Sequence, residues 1–129
     1  MSLKINITEK DKGVFIVSCL GVIDTNTYSV LKEKIDFLVR TDVKVVVLDM
    51  EGVNYVSSMG VSTILNAKKS FEKEGIVFII LSLQPQVKKV FDIVKALPTQ
   101  TVFESIEELD NYLRVIQEKE AKDKDSHSS

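Results

Sequence analysis

The stretch V-V-V-L-D-M-E-G-V-N-Y-V-S-S-M-G-V-S-T-I-L-N-A-K-K-S-F, Val45 to Phe71, decides the fold. It opens on a continuous apolar run, Val45-Val46-Val47-Leu48, the pattern of a strand buried on both faces. The run breaks over residues 49–54. Apolar residues then return at Val61, Ile64, Leu65 and Phe71 with helical spacing, so the stretch reads strand, loop, helix. Two adjacent hydroxyls, Ser57 and Ser58, stand at the joint and Gly60 follows them. In α/β proteins, loops leaving the carboxyl ends of strands are the common place for a site.

Upstream, Leu3, Ile5 and Ile7 alternate with polar residues, as in a strand with one wet face. Glu9-Lys10-Asp11-Lys12-Gly13 reads as a turn and residues 14–20 as a second strand, forming an antiparallel hairpin that Gly21 ends. Asp24 and Thr25 offer oxygens to cap a helix with an apolar stripe of Val30, Leu31, Ile35 and Leu38. Downstream, Gly75 stops the central helix and residues 76–81 form another unbroken apolar strand. Pro85 suits a first helical turn, and Val87, Val90, Phe91 and Val94 mark that helix's buried face. Pro98 ends it, and residues 101–103 make a short edge strand. Ser105 and Glu108 form a capping box for a last helix with Ile106, Leu109, Leu113 and Ile116 inward. One domain is expected over residues 1–118, with a charged, disordered tail over 119–129.

After the hairpin, strands and helices alternate, which predicts an α/β fold with a mostly parallel sheet. The loops at residues 21–25, 52–58 and 82–85 and the turn at Glu104 then share one edge, bringing Asp24 towards the two serines.

Composition narrows the function. The chain has 129 residues, 44% of them hydrophobic and 28% charged, as in an ordinary globular protein. A formal charge of -2 leaves no electrostatic footprint for nucleic acid. There is no apolar run of membrane length and no basic-then-apolar leader, so a cytoplasmic protein without membrane association is expected. The one cysteine, Cys19, reads as a small buried hydrophobe. A serine hydrolase needs a base beside its nucleophile, yet the one histidine, His127, lies in the tail and there is no G-x-S-x-G elbow. No P-loop or dinucleotide fingerprint occurs, and Asp24, Asp49 and Glu51 are a weak basis for a metal. Neither enzyme activity nor a cofactor or metal is expected.

Ser57 and Ser58 admit two compatible readings. One of them caps the helix, its oxygen satisfying a free amide of the first turn. Alternatively, one receives a phosphate, an anion that a helix N-terminus favours.

Taken together, these motifs resemble those of the STAS domain family, most of all its small bacterial anti-sigma factor antagonists. Gly21-Val22-Ile23-Asp24 resembles the family's G-x-[LIV]-D, and Val56-Ser57-Ser58-Met59-Gly60-Val61 resembles its [DS]-S-[SA]-G-[LV]. Pro85-Gln86-Val87-Lys88-Lys89-Val90-Phe91 resembles P-x-V-x-[RK]-[VL]-[FL]. The likeness runs from Leu3 to Ile116. It implies a sheet of four to five strands with an antiparallel N-terminal hairpin and about four helices. It also implies a partner-switching cycle. The unphosphorylated protein binds an anti-sigma factor that is also a serine kinase, phosphorylation releases it, and a phosphatase resets the cycle. The acceptor is the serine two places before the motif glycine, here Ser58. Partner contact is implied for Asp24, Ser57, Ser58, Met59 and Gly60. Ser57 stands where well-known members carry aspartate, and Met59 where serine or alanine is usual. The alternative is a constitutive adaptor of the same fold in which Ser58 has no switching role.

Overall fold

The structure, a computed structural model, describes residues 2–40, 42–93 and 102–103. β1 (Leu3–Asp11) and β2 (Val14–Ile23) are followed by α1 (Tyr28–Leu38), β3 (Val45–Val56), α2 (Ser58–Lys73), β4 (Val77–Leu81), α3 (Pro85–Ile93) and β5 (Val102–Phe103). The strands form one sheet in the order β1-β2-β3-β4-β5. β1 and β2 pair antiparallel, and every later pair is parallel. The α/β reading, the hairpin and the short edge strand are as the sequence predicts. The last helix, Val94, Pro98, the turn at Glu104, the boundary near 118 and the tail lie outside the described residues.

The apolar runs are buried on both faces. Val46, Leu48, Phe78 and Ile80 enter the larger core cluster, while their neighbours Val45, Val47, Ile79 and Leu81 form a smaller one on the other side. Alternating directions along each strand require this split. Each helix among the described residues feeds the larger cluster: Leu31, Ile35 and Leu38 from α1, Val61, Ile64, Ala67 and Phe71 from α2, and Val87 and Phe91 from α3. Phe71 stacks on Phe78 at 5.4 Å between centroids. The predicted stripe of α1 needs one correction, because Val30 is exposed and only its other three members are buried.

Three strands run further than their sequence suggests. β1 continues through most of the turn expected over residues 9–13 to Asp11, pairing Glu9 with Phe15 and Asp11 with Val14, so only Lys12 and Gly13 turn the chain. β2 does not end at Gly21 but continues to Ile23. Gly21 adopts φ +124, and a β-carbon there would run into the Ser2 carbonyl. Only glycine fits. β3 does not break at residue 49 but runs for 12 residues to Val56. Its register against β2 shifts between Ser18 and Leu20 and again between Gly21 and Val22. At both places β3 spends one residue more than β2, so it carries two bulges. Each bulge resets the inward phase, so Met50, Val53 and Val56 are buried at intervals of three. A period of three matches no regular strand, which is why the segment reads as a loop.

β4 pairs with β3 only as far as Asp49. Ser82 then takes φ 60, rare for a residue with a side chain, and turns the chain out of the sheet. The second half of β3 therefore overhangs β4. At the other end of the sheet, the Arg40 guanidinium lies over the rings of Phe37 (4.8 Å) and Phe15 (5.5 Å).

Two outcomes test this packing. Phe71→Ala should cost about 3–5 kcal/mol in urea denaturation, the usual loss for a fully buried phenylalanine. Phe37→Ala, which removes an exposed ring and one cation–π contact, should cost no more than about 1 kcal/mol. Cys19 supplies the second. Burial, with the Asp49 charge adding to it, pushes its thiol up to about 12. An unfolded thiol ionises near 8.5, so above that pH the unfolded chain sheds a proton that the native one keeps. Stability conferred at Cys19 is thus whole below about pH 8.5 and is lost as pH rises towards 12. The stability difference between wild type and Cys19→Ala should shrink by roughly 2 kcal/mol from pH 8 to pH 10.

Candidate functional site at the start of the second helix

β2 and β3 stay paired to Ile23 and Val56, and one further backbone bond extends the ladder into the turn, the Ser57 amide donating to the Ile23 carbonyl at 2.9 Å. Only Ser57 separates the end of β3 from the start of α2, so the expected loop over 52–58 is reduced to a single residue. Gly60 makes this close docking possible. A β-carbon at that position would lie 2.6 Å from the Ile23 carbonyl oxygen and 2.7 Å from Val56 Cγ1. Gly60 is buried and offers no side chain to the surface, so its contribution to the site is the approach it permits.

The structure separates the two serines. Ser57 is the N-cap: it has extended backbone angles, its Oγ accepts from the Gly60 amide at 3.3 Å, and its carbonyl accepts the first helical bond, from Val61. Ser58 is the first helical residue and is exposed. The amides of Ser58 and Met59 precede the first intrahelical bond, and no acidic residue stands in the first turn. The positive end of the α2 dipole is therefore not offset by a carboxylate of that turn.

Asp24, one residue beyond Ile23, is 9% exposed. Its Oδ1 accepts from the amides of Asn26 (2.9 Å) and Thr27 (3.1 Å). The Thr27 hydroxyl donates to the Val22 carbonyl (2.8 Å) and accepts from the Asp24 amide (3.0 Å). This network closes the turn between β2 and α1. The cap of α1 differs from the sequence reading. The helix begins at Tyr28, Thr27 holds the cap position without a side-chain cap bond, and Asp24 closes the turn before it. What Asp24 gives the edge is the shape of this turn, which leaves Thr25 and Asn26 exposed.

Met59 is 41% exposed, so it is not packed wholly inward. It borders a groove of about 200 Å³ between α1 and α2, floored by Tyr28, Ile35 and Ala67 and rimmed by Lys32 and Asp36. Lys32 Nζ donates to Asp36 Oδ2 at 2.9 Å, and this bond raises the lysine's pKa. Near the end of β3, Tyr55 is 53% exposed. Sequence reasoning passed over Tyr55 because the bulges hide its direction. It also passed over Gln84 and Gln86, whose side chains reach the carbonyls of Glu51 (2.6 Å) and Asn54 (3.3 Å) on β3. No sequence signal marks those two contacts. Among the described residues no group of three or more metal-ligating side chains occurs, and no helix is long and apolar enough to cross a membrane.

The family model of the STAS domain matches residues 6–109, and the chain belongs to that family. Its fold is shared by the anti-sigma factor antagonist SpoIIAA in its unphosphorylated form, at 19% identity and a TM-score of 0.73 over 86% of this chain and 96% of that one. The phosphorylated form of the Bacillus cell fate determinant SpoIIAA matches at 17% and 0.69 over 85% and 99%. An anti-sigma factor antagonist from Mycobacterium paratuberculosis matches at 21% and 0.74, over 87% and 94%. The murine anion transporter Slc26a9 contains the same fold, at 20% and 0.68 over 83% of this chain but 18% of the transporter.

The two serines are separable by stability alone. Ser57→Ala should lower the unfolding free energy by about 0.5–2 kcal/mol, the cost of losing a cap. Ser58→Ala should stay within about 0.5 kcal/mol of wild type in the same urea titration.

Proposed function

We propose that this chain is an anti-sigma factor antagonist whose partner binding is controlled by phosphorylation of Ser58. The observation carrying this reading is the position of Ser58: exposed, first in α2, with the cap supplied by its neighbour. A hydroxyl with no part in the cap is free for a kinase. A phosphate there adds a charge of about −1.5 to −2 at neutral pH, beside amides and a helix dipole that favour it. The fold therefore accepts the charge, while an acidic partner surface docked over the helix start is repelled.

In this reading the unphosphorylated protein binds an anti-sigma factor that is also a serine kinase, and so frees a sigma factor for transcription. The kinase phosphorylates Ser58 and is released, and a phosphatase restores the binding form. The contact surface comprises Ser57, Ser58 and Met59, on a backbone set by Gly60 and the Asp24 turn. The protein is a non-catalytic regulator of the bacterial cytoplasm, working without a cofactor. Support comes from the family match and from the shared fold of antagonists solved with and without phosphate.

The test is to incubate the protein with ATP and serine kinases from its own cell and map phosphate by mass spectrometry. Modification at Ser58 is the expected result. Phosphate confined to Ser126, Ser128 or Ser129 would leave a constitutive adaptor. With the anti-sigma partner in hand, Ser58→Asp should weaken binding tenfold or more, about 1.4 kcal/mol, with a nearly unchanged thermal transition. Ser58→Ala should bind and resist release by ATP.

A further inference from the structure

We infer that Gln84 and Gln86 are positioning residues for the Ser58 site, acting as a side-chain clamp on the overhanging half of β3. Beyond Asp49 that strand has β2 on one side and no pairing to β4 on the other. Its outward carbonyls at Glu51 and Asn54 are exposed and carry no ladder bond from β4, so they are open to side-chain donors. Ser82, at φ 60, diverts the chain from the sheet, and the side chains that follow supply what the missing strand would have given. Gln84 Nε2 donates to the Glu51 carbonyl at 2.6 Å. Gln86 Nε2 donates to the Asn54 carbonyl at 3.3 Å and to Gln84 Oε1 at 2.6 Å, so each glutamine holds the other in place.

The two carbonyls belong to the bulged part of the strand, where register is least determined by the ladder itself. Glu51 adjoins the first bulge, and Asn54 lies between the partners of Gly21 and Val22, at the second. Three residues after Asn54 comes Ser57, with no slack before α2 begins. A slip at either bulge would therefore shift the Ser57 amide from the Ile23 carbonyl and re-aim the Ser58 hydroxyl. The clamp fixes the height at which that hydroxyl stands on the sheet edge. The clamp stands on geometry alone, and its effect on phosphorylation rests on the proposed function.

Charge substitutions separate this role from helix stability. Gln84 precedes α3, and its backbone carbonyl accepts from the Val87 and Lys88 amides, so changes to its side chain leave that cap intact. Gln84→Glu removes the donor yet places a negative charge where the α3 dipole favours it. Gln84→Lys keeps a donor but places an unfavourable charge there. Hydrogen exchange of the intact chain, read by mass spectrometry over residues 52–60, should be about three- to tenfold faster in Gln84→Glu and in Gln84→Glu/Gln86→Glu. In Gln84→Lys, which keeps a donor for the Glu51 carbonyl but loses the acceptor for Gln86, it should rise less than in Gln84→Glu. The thermal midpoint should move the other way, unchanged or higher for glutamate and lower for lysine.

Where Ser58 is a substrate, kcat/KM for its phosphorylation should follow exchange and not the midpoint. Exchange over residues 52–60 that is unchanged in both glutamate variants, or that follows the thermal midpoint, would overturn the clamp. Should Ser58 never be phosphorylated while exchange behaves as stated, the clamp stands and only the switching function is lost.

Discussion

The bond from the Ser57 amide to the Ile23 carbonyl is the constraint on which the site depends. It joins the ends of two parallel strands at the point where one of them becomes a helix. The half-buried Ser57 amide takes that carbonyl as its partner, and the bond fixes the depth at which α2 starts. The cost is steric. The carbonyl it uses lies where a β-carbon on residue 60 would stand, so the helix can dock only if that residue is glycine. From this contact follow the one-residue linker, the exposed Ser58 and Met59 at the helix start, and the proximity of the Asp24 turn. Asp24 follows Ile23 directly, and its carboxylate closes a turn whose first carbonyl, that of Val22, is held by Thr27.

Much of this arrangement was legible because the signals were local. Unbroken valine and isoleucine runs mark strands buried on both sides, and the spacing of Val61, Ile64 and Phe71 marks a helix in any tertiary setting. The motif glycine at position 60 pointed to the joint, although the reason for it, contact with the Ile23 carbonyl, is non-local. What failed was the second half of β3. Two bulges change the inward period from two to three, and no propensity or alternation rule anticipates that, since bulges arise from pairing with β2. The same failure concealed Tyr55 and the overhang. Gln84 and Gln86 were invisible for a different cause. A glutamine beside a helix start is ordinary, and the carbonyls it serves lie more than thirty residues earlier in the chain. The division between Ser57 and Ser58 was left open by spacing and settled by geometry, because only one of the two has extended backbone angles.

That division also bears on how a charge at this joint can act. A reversible binding switch needs two states that share one fold, so the modified group must carry no bond on which the fold relies. The Ser57 oxygen fails this condition, since it holds the Gly60 amide at the tightest point of the packing. A phosphate on Ser57 would have to displace the cap. The Ser58 oxygen meets the condition: the cap, the first helical bond and the link to Ile23 all run through Ser57. Charge added one residue later still sits within the first turn, where the dipole is strongest and no carboxylate competes. Its energetic effect on the fold would therefore be small and favourable, and in the proposed switch an acidic surface docked there would be repelled. A neutral Ser57 would sharpen the contrast, because the unmodified helix start carries no formal charge within its cap and first turn, and in the proposed switch the whole of the change would come from the phosphate.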